Sequence, residues 1–156
     1  IANVAERAGT SKPAFYRRWP TKAHLVHEAV FPAQPMESFA PGRDLRADVR
    51  TLVRHGLDLL DRPAARAALP GLLAESSSNA SLATEVLAQA AGHTFAWLEQ
   101  RLAAGVASGE VRRGVNAATV FELAAGATFM AVVSGRHADN HWIDATVDVI
   151  VRGIAA

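Results

Sequence analysis

The sequence predicts an all-α fold, and three observations predict it. Apolar residues recur at intervals of three and four in one segment after another, the period of a helix with one buried face. Strand-forming residues nowhere alternate with polar ones over a sustained run. Glycine, proline and small polar residues fall between the periodic segments, where helices stop and start. The 156 residues are half hydrophobic, enough to bury a substantial core in one or two domains. Cysteine is absent, which removes disulfides, thiolate metal sites and cysteine nucleophiles and fits a reducing, cytoplasmic setting.

The first three elements lie within residues 1–31. Ile1, Val4, Ala5 and Ala8 share one helical face, and Gly9 ends that helix. Thr10 or Ser11 caps a second, short helix, with Pro13 early in it, where a missing N–H costs nothing. Pro20 ends the second helix, and Thr21 caps a third that carries Leu25, Val26, Ala29 and Val30 on one side. A helix, a turn through glycine and a short helix headed by small polar residues form a helix-turn-helix pattern.

The charge distribution points the same way. Residues 1–31 hold Arg7, Lys12, Arg17, Arg18 and Lys22 against Glu6 and Glu28, a net +3 in a chain whose total is +1. The remaining residues therefore sum to −2, and a near-neutral total conceals a basic head. Such a head attracts phosphate backbones. The helix from about Ser11 to Arg18 is the reading helix, entering the major groove of double-stranded DNA. Lys12 and Arg17 are candidates for base or near-base contacts, because both side chains donate to guanine O6 and N7. Ala14 suits a thymine methyl. Thr10, Ser11, Tyr16 and Lys22 are candidates for phosphate contacts that set register. Phe15 and Trp19 are expected to pack the small domain, and His24 and His27 to lie beside the DNA-facing cations.

The run AGTSKPAFYRRWPTKAHL resembles the DNA-binding signature of the TetR (tetracycline-repressor-type) transcriptional regulators. Ile1, Ala5, Gly9, Ser11, Phe15, Tyr16, Trp19, Lys22 and Leu25 carry the resemblance, which covers about thirty residues here. The family has a further helix ahead of the turn helix, so the natural protein is expected to extend before Ile1. The resemblance implies a helix-turn-helix domain joined to a larger helical domain that binds an effector and dimerises. It also implies a repressor acting on a palindromic operator.

The body continues the helical reading. Residues 31–42, with three prolines and a glycine, read as a linker, which puts the DNA-binding domain at 1–31, the linker at 32–42 and the helical domain at 43–156. A helix is expected over about 43–61, with Leu45, Val49, Leu52, Val53, Leu57 and Leu60 on its apolar stripe. Arg46, Arg50 and Arg54 line another face, read as solvated and partly paired with Asp44, Asp48 and Asp58. Pro63 opens a short helix that Pro70–Gly71 is expected to kink or split, and residues 75–79 read as a polar loop. A long helix follows over about 80–106, carrying Leu82, Val86, Ala90, Trp97, Leu98, Leu102 and Val106. Residues 108–116 read as an exposed turn, with Asn116 capping the next helix.

Residues 117–135 hold one charge, Glu122, and a last helix over about 140–154 is also broadly apolar. The uncharged run from Leu123 to Gly135 is shorter than the roughly 20 residues needed to cross a bilayer, so no membrane role is expected. A homodimer with a four-helix bundle is the simplest way to cover two such helices. Val120, Ala124, Ala127, Ala131, Ile143, Val147, Ile150 and Ile154 are its candidate interface; burial of both helices within one protomer is the alternative.

Chemistry for catalysis is not evident. No nucleophile elbow or phosphate-binding glycine loop occurs, so no enzyme activity and no cofactor are expected. His137 and His141 with Asp139 and Asp144 could ligate a metal on one continuous helix, but Asp139 or Asn140 reads better as a cap, and no metal site is expected. A small-molecule cavity is the more useful expectation. His55 and Leu59, His93 and Trp97, and Phe121, Ala125 and Phe129 put aromatic and polar groups on three helices, although for any one of them plain core is the favoured reading. The absence of a buried charge cluster leans towards a hydrophobic effector. The reading is a ligand-responsive DNA-binding regulator. The alternatives are a helical ligand-binding or enzyme domain with an incidental basic head, and a DNA-binding dimer without an effector.

Overall fold

In the computed structural model, residues 2–31, 44–78, 80–136 and 138–156 are described, with the side chains of 78, 80–91 and 93 excepted. Eight helices are found among them: α1 (Ala2–Arg7), α2 (Lys12–Arg18), α3 (Lys22–Val30), α4 (Leu45–Leu60), α5 (Pro63–Ser78), α6 (Ala80–Ser108), α7 (Ala117–Val133) and α8 (Asn140–Ile154). Ile1, the linker expected over 32–42, Asn79 and His137 lie outside the described residues, as do the side chains of His93, Leu82, Val86 and Ala90. Two compact units form, residues 1–33 with 67–90 and residues 34–66 with 91–156. None of the helices, over the described residues, is long and apolar enough to cross a membrane.

In the first unit, Ala23 and Leu72 are buried together, with Val26, Phe31 and Ala68 packed around them. The second half of α5 thus covers the apolar face of α3. Here the expected break at Pro70 does not occur, because α5 runs unbroken from Pro63 to Ser78. A proline deletes one helical hydrogen bond. The apolar cover that Leu72 supplies just beyond it favours continuing the helix. The loop expected from residue 75 is also helical through Ser78. Ser77 Oγ donates to Ala74 O at 2.8 Å, so the hydroxyl is satisfied without leaving the helix.

The second unit is built on α4, which packs on both α7 and α8. Asp44 caps α4, its carboxylate accepting from the backbone N–H groups of Arg46 and Ala47. Leu45, Val49, Leu52, Val53 and Leu57 are buried on its inner face. Burying each such side chain contributes about 1.5–3 kcal/mol. Gly56 lets α4 and α7 approach closely: a Cβ there would meet Thr128 Oγ1 at 2.9 Å. Asn116 caps α7 and Asp139 caps α8, its carboxylate accepting from Trp142 N at 2.9 Å.

The arginines of α4 do not pair with acids of their own helix. Arg46 Nη1 bonds Asp148 at 3.1 Å, Arg50 pairs with Asp144, and Arg54 Nη2 donates to Asn140 Oδ1 at 2.6 Å. All three partners lie on α8, so this stripe joins two helices. Asp48, expected on the solvated face, is buried and holds Arg101 of α6.

Residues 108–116 are likewise more than an exposed turn. Val111 is buried and forms an isolated antiparallel bridge with Ala155. Glu110 accepts from Leu45 N at 2.8 Å through Oε1 and from Arg101 Nη2 at 2.7 Å through Oε2. The turn therefore ties the start of α4, the end of α6 and the end of α8 together.

Most of the residues expected at a dimer interface are buried within the protomer. Val120, Ala124 and Ala131 of α7 and Ile143, Val147, Ile150 and Ile154 of α8 are buried in the protomer's own core. Of the eight only Ala127 is half-exposed, and Val120, Ala127, Ile150 and Ile154 also line a groove on the outer side of α7 and α8. The apolar groups left outside are Leu123, Met130 and Val133 of α7 and Val149 of α8, the last 73% exposed. The groove, of about 530 Å³, runs along that side, lined by Arg112, Asn116, Thr119, Leu123, Thr146 and Val149 among others.

Candidate nucleic-acid interface

The N-terminal unit is shaped by its caps and its turn. Gly9 has φ +63°, which a side chain disfavours, and its turn lets Thr10 N bond Ala5 O at 3.0 Å. Ser11 caps α2, its Oγ accepting from Ala14 N at 3.3 Å, and Pro13 sits in the first turn. Thr21 caps α3, its Oγ1 accepting from Ala23 N and His24 N and bonding His24 Nδ1 at 2.9 Å.

Packing then decides which side of α2 faces out. Phe15 is buried, and its ring centroid lies 4.6 Å from that of Trp19. With about 100° between successive residues, Arg17 falls on the side opposite this pair, with Pro13 near it and Tyr16 on the flank between. Thr10, Ser11, Lys12, Tyr16, Arg17 and Lys22 are exposed, and Ala14 is half-exposed. Ser11 Oγ is already an acceptor in its cap, which leaves its O–H to donate. No ion pair among the described residues uses Lys12, Arg17 or Lys22. The surface these seven residues form is therefore open, cationic and carried on a capped, packed scaffold.

Two features were not legible in the chain. Glu28 accepts from Arg18 Nη2 and from Trp19 Nε1, both at 2.7 Å, so Arg18 is engaged inside the unit. Those two hydrogen bonds, Arg18 first, hold the Glu28 carboxyl below its ordinary range against a small opposing effect of burial. His27, expected beside the DNA-facing cations, is buried, its ring centroid 5.4 Å from that of Phe31. Its neighbours on α3 face inward because Leu72 and Ala68 cover that side.

The effector candidates are placed differently from one another. His55 and Leu59 of α4 are half-buried, as are Phe121, Ala125 and Phe129 of α7. Burial lowers the pKa of His55, with Asp58 opposing and Arg62 reinforcing the shift. Trp97 is only 7% exposed and sits with Leu98 in the core of the second unit. None of these six residues lines the outer groove. His141 is exposed, and no group of three or more metal-ligating side chains forms among the described residues.

Two stretches of the chain match known families. Residues 1–29 match the family model described as bacterial regulatory proteins, tetR family. Residues 40–150 match that of the tetracyclin repressor-like C-terminal domain. No curated protein matches the chain.

Proposed function

The chain belongs to the tetR family of bacterial regulatory proteins, and on that premise we propose that it is a dimeric transcriptional repressor released from a palindromic operator by a hydrophobic effector. The observation that carries the DNA part is the exposed, unpaired set Lys12, Arg17 and Lys22 on the outer side of a capped helix-turn-helix. Lys12 and Arg17 read bases, with Ala14 against a thymine methyl. Thr10, Ser11, Tyr16 and Lys22 hold phosphates. Lys22 opens α3, whose first N–H groups add to phosphate attraction. The protein acts in the cytoplasm, and its role is regulatory, not catalytic.

A salt titration tests this. Lys22→Ala is expected to weaken binding to every duplex. It should also reduce the slope of log affinity against log salt by about 0.9 for each phosphate no longer neutralised. Arg17→Ala is expected to change base preference as well. Unaltered affinity and slope for Lys22→Ala would remove the phosphate role.

The effector part rests on the half-buried His55, Leu59, Phe121, Ala125 and Phe129 of α4 and α7. Half-buried aromatics on α7 and a histidine on α4 whose pKa burial lowers suit an apolar ligand with one polar group. A compound that binds the folded chain at 100 times its Kd should stabilise it by about 2.7 kcal/mol, read as a rise in Tm, and should lower DNA affinity. Phe129→Ala is the variant to use, and it should weaken both effects. Truncating the buried Trp97 would test folding instead. A screen in which no hydrophobic compound both raises Tm and releases DNA would favour a regulator without an effector.

A further inference from the structure

The cations of the N-terminal unit are not equivalent. Lys12, Arg17 and Lys22 project from it unpaired, whereas Arg18 is held on two sides. Its Nη2 donates to Glu28 Oε1 at 2.7 Å, and its guanidinium carbon lies 4.9 Å from the centroid of the Trp19 ring. The other Glu28 oxygen accepts from Trp19 Nε1 at 2.7 Å. One carboxylate therefore fixes both the guanidinium and the ring beneath it. It bridges the last turn of α2 to the last turns of α3.

A guanidinium offers the same donor fork to a carboxylate and to a phosphate. A cation already satisfied by a carboxylate gains less from the backbone of DNA. We propose that Glu28 is a positioning residue that withholds Arg18 from DNA phosphates, leaving binding to Lys12, Arg17 and Lys22. This rests on the DNA-binding reading above. Its consequence is a lower affinity for every duplex. A phosphate contact strengthens binding to all sequences alike, so masking one beside the reading helix weakens binding uniformly without touching base readout. The side chain of Arg18 is 67% exposed, so without Glu28 it is free to reach outward. The Arg18 and Trp19 hydrogen bonds favour the ionised Glu28 carboxylate and hold its pKa below the ordinary range.

The test uses the whole chain and a random-sequence duplex, with a duplex selected by the wild-type chain as the specific partner. Glu28→Gln keeps an acceptor for Trp19 Nε1 and removes the charge that holds Arg18. It should bind the random duplex about five-fold or more tighter at low salt, with a salt slope steeper by about 0.9 per protomer. The selected duplex should gain by the same factor, so the preference for it should not change. Glu6→Gln alters net charge equally from an exposed position on α1, and its effect should be smaller. Arg18→Ala should leave the wild-type slope unchanged, and Glu28→Gln with Arg18→Ala should lose the gain. The proposal is overturned if Arg18→Ala flattens the slope as Lys22→Ala does, or if Glu28→Gln does no more than Glu6→Gln. Should Glu28→Gln fail to fold, Arg18→Ala alone still decides, because wild-type Arg18 either contributes to the slope or does not. A wild-type chain that binds no duplex in a salt-dependent way sinks the DNA-binding reading itself, and this proposal with it.

Discussion

Arg101→Ala is expected to destabilise the second unit by ~3–5 kcal/mol, the cost of removing one partner from a buried ion pair. Arg101 is 3% exposed, its Nε donates to Asp48 Oδ2 and its Nη2 to Glu110 Oε2. Burial works against its charge, and the hydrogen bonds to Asp48 and Glu110 more than restore it, so its pKa stands above the ordinary arginine value. Alanine would strip the guanidinium from a buried Asp48. It would also release Glu110, whose other oxygen accepts from the first N–H of α4. Against a typical stability of about 5–15 kcal/mol, the loss is a large fraction of the whole. Thermal and urea unfolding followed by circular dichroism measure it. Arg101→Lys should recover part of the stability, since it keeps the charge but not the two-armed fork. A Tm for Arg101→Ala indistinguishable from wild type would show that the triad adds nothing net.

Leu123→Glu is expected to leave the fold intact and break the proposed dimer. Leu123 and Met130 are 56% and 58% exposed on α7, and Val149 stands out on α8, lining the outer groove with Leu123. A second copy placed on this face would bury all three, and a glutamate at its centre would be desolvated without a partner. Sedimentation should show a dimer for wild type and a monomer for the variant at micromolar concentration. Affinity for a palindromic duplex should fall by about 10²–10⁴, because two linked half-site interactions become independent. Affinity for a single half-site should not change. Val120→Glu serves as contrast: Val120 is in the protomer core and that variant should unfold instead. A wild-type chain that sediments as a monomer would end the dimer reading.

The helix-turn-helix was legible residue by residue. Gly9, Ser11, Pro13 and Thr21 act within one turn of their own positions, as caps and stops do. The same holds for Asn116 and Asp139 at the starts of α7 and α8. The break expected at Pro70 failed for a reason of the opposite kind. Leu72, just beyond it, has its partner in Ala23, far away in the chain.

Side-chain partners across long separations were not legible. Arg46 could be assigned to Asp44 or Asp48 on spacing, yet it meets Asp148, 102 residues away. The same is true of Glu28, whose hold on Arg18 and Trp19 needs α2 and α3 folded back on each other. Helices, caps, basic head and family signature could all be read from the chain, because each depends on residues within a few positions of one another. Which side of α7 and α8 is core, and which is open, came from tertiary packing. α7 is apolar nearly all round, so its periodicity carries no face. Only the approach of α4 at Gly56 and Thr128, and the arginines that draw α8 onto α4, bury Val120, Ala124 and Val147 and leave Leu123 and Val149 outside.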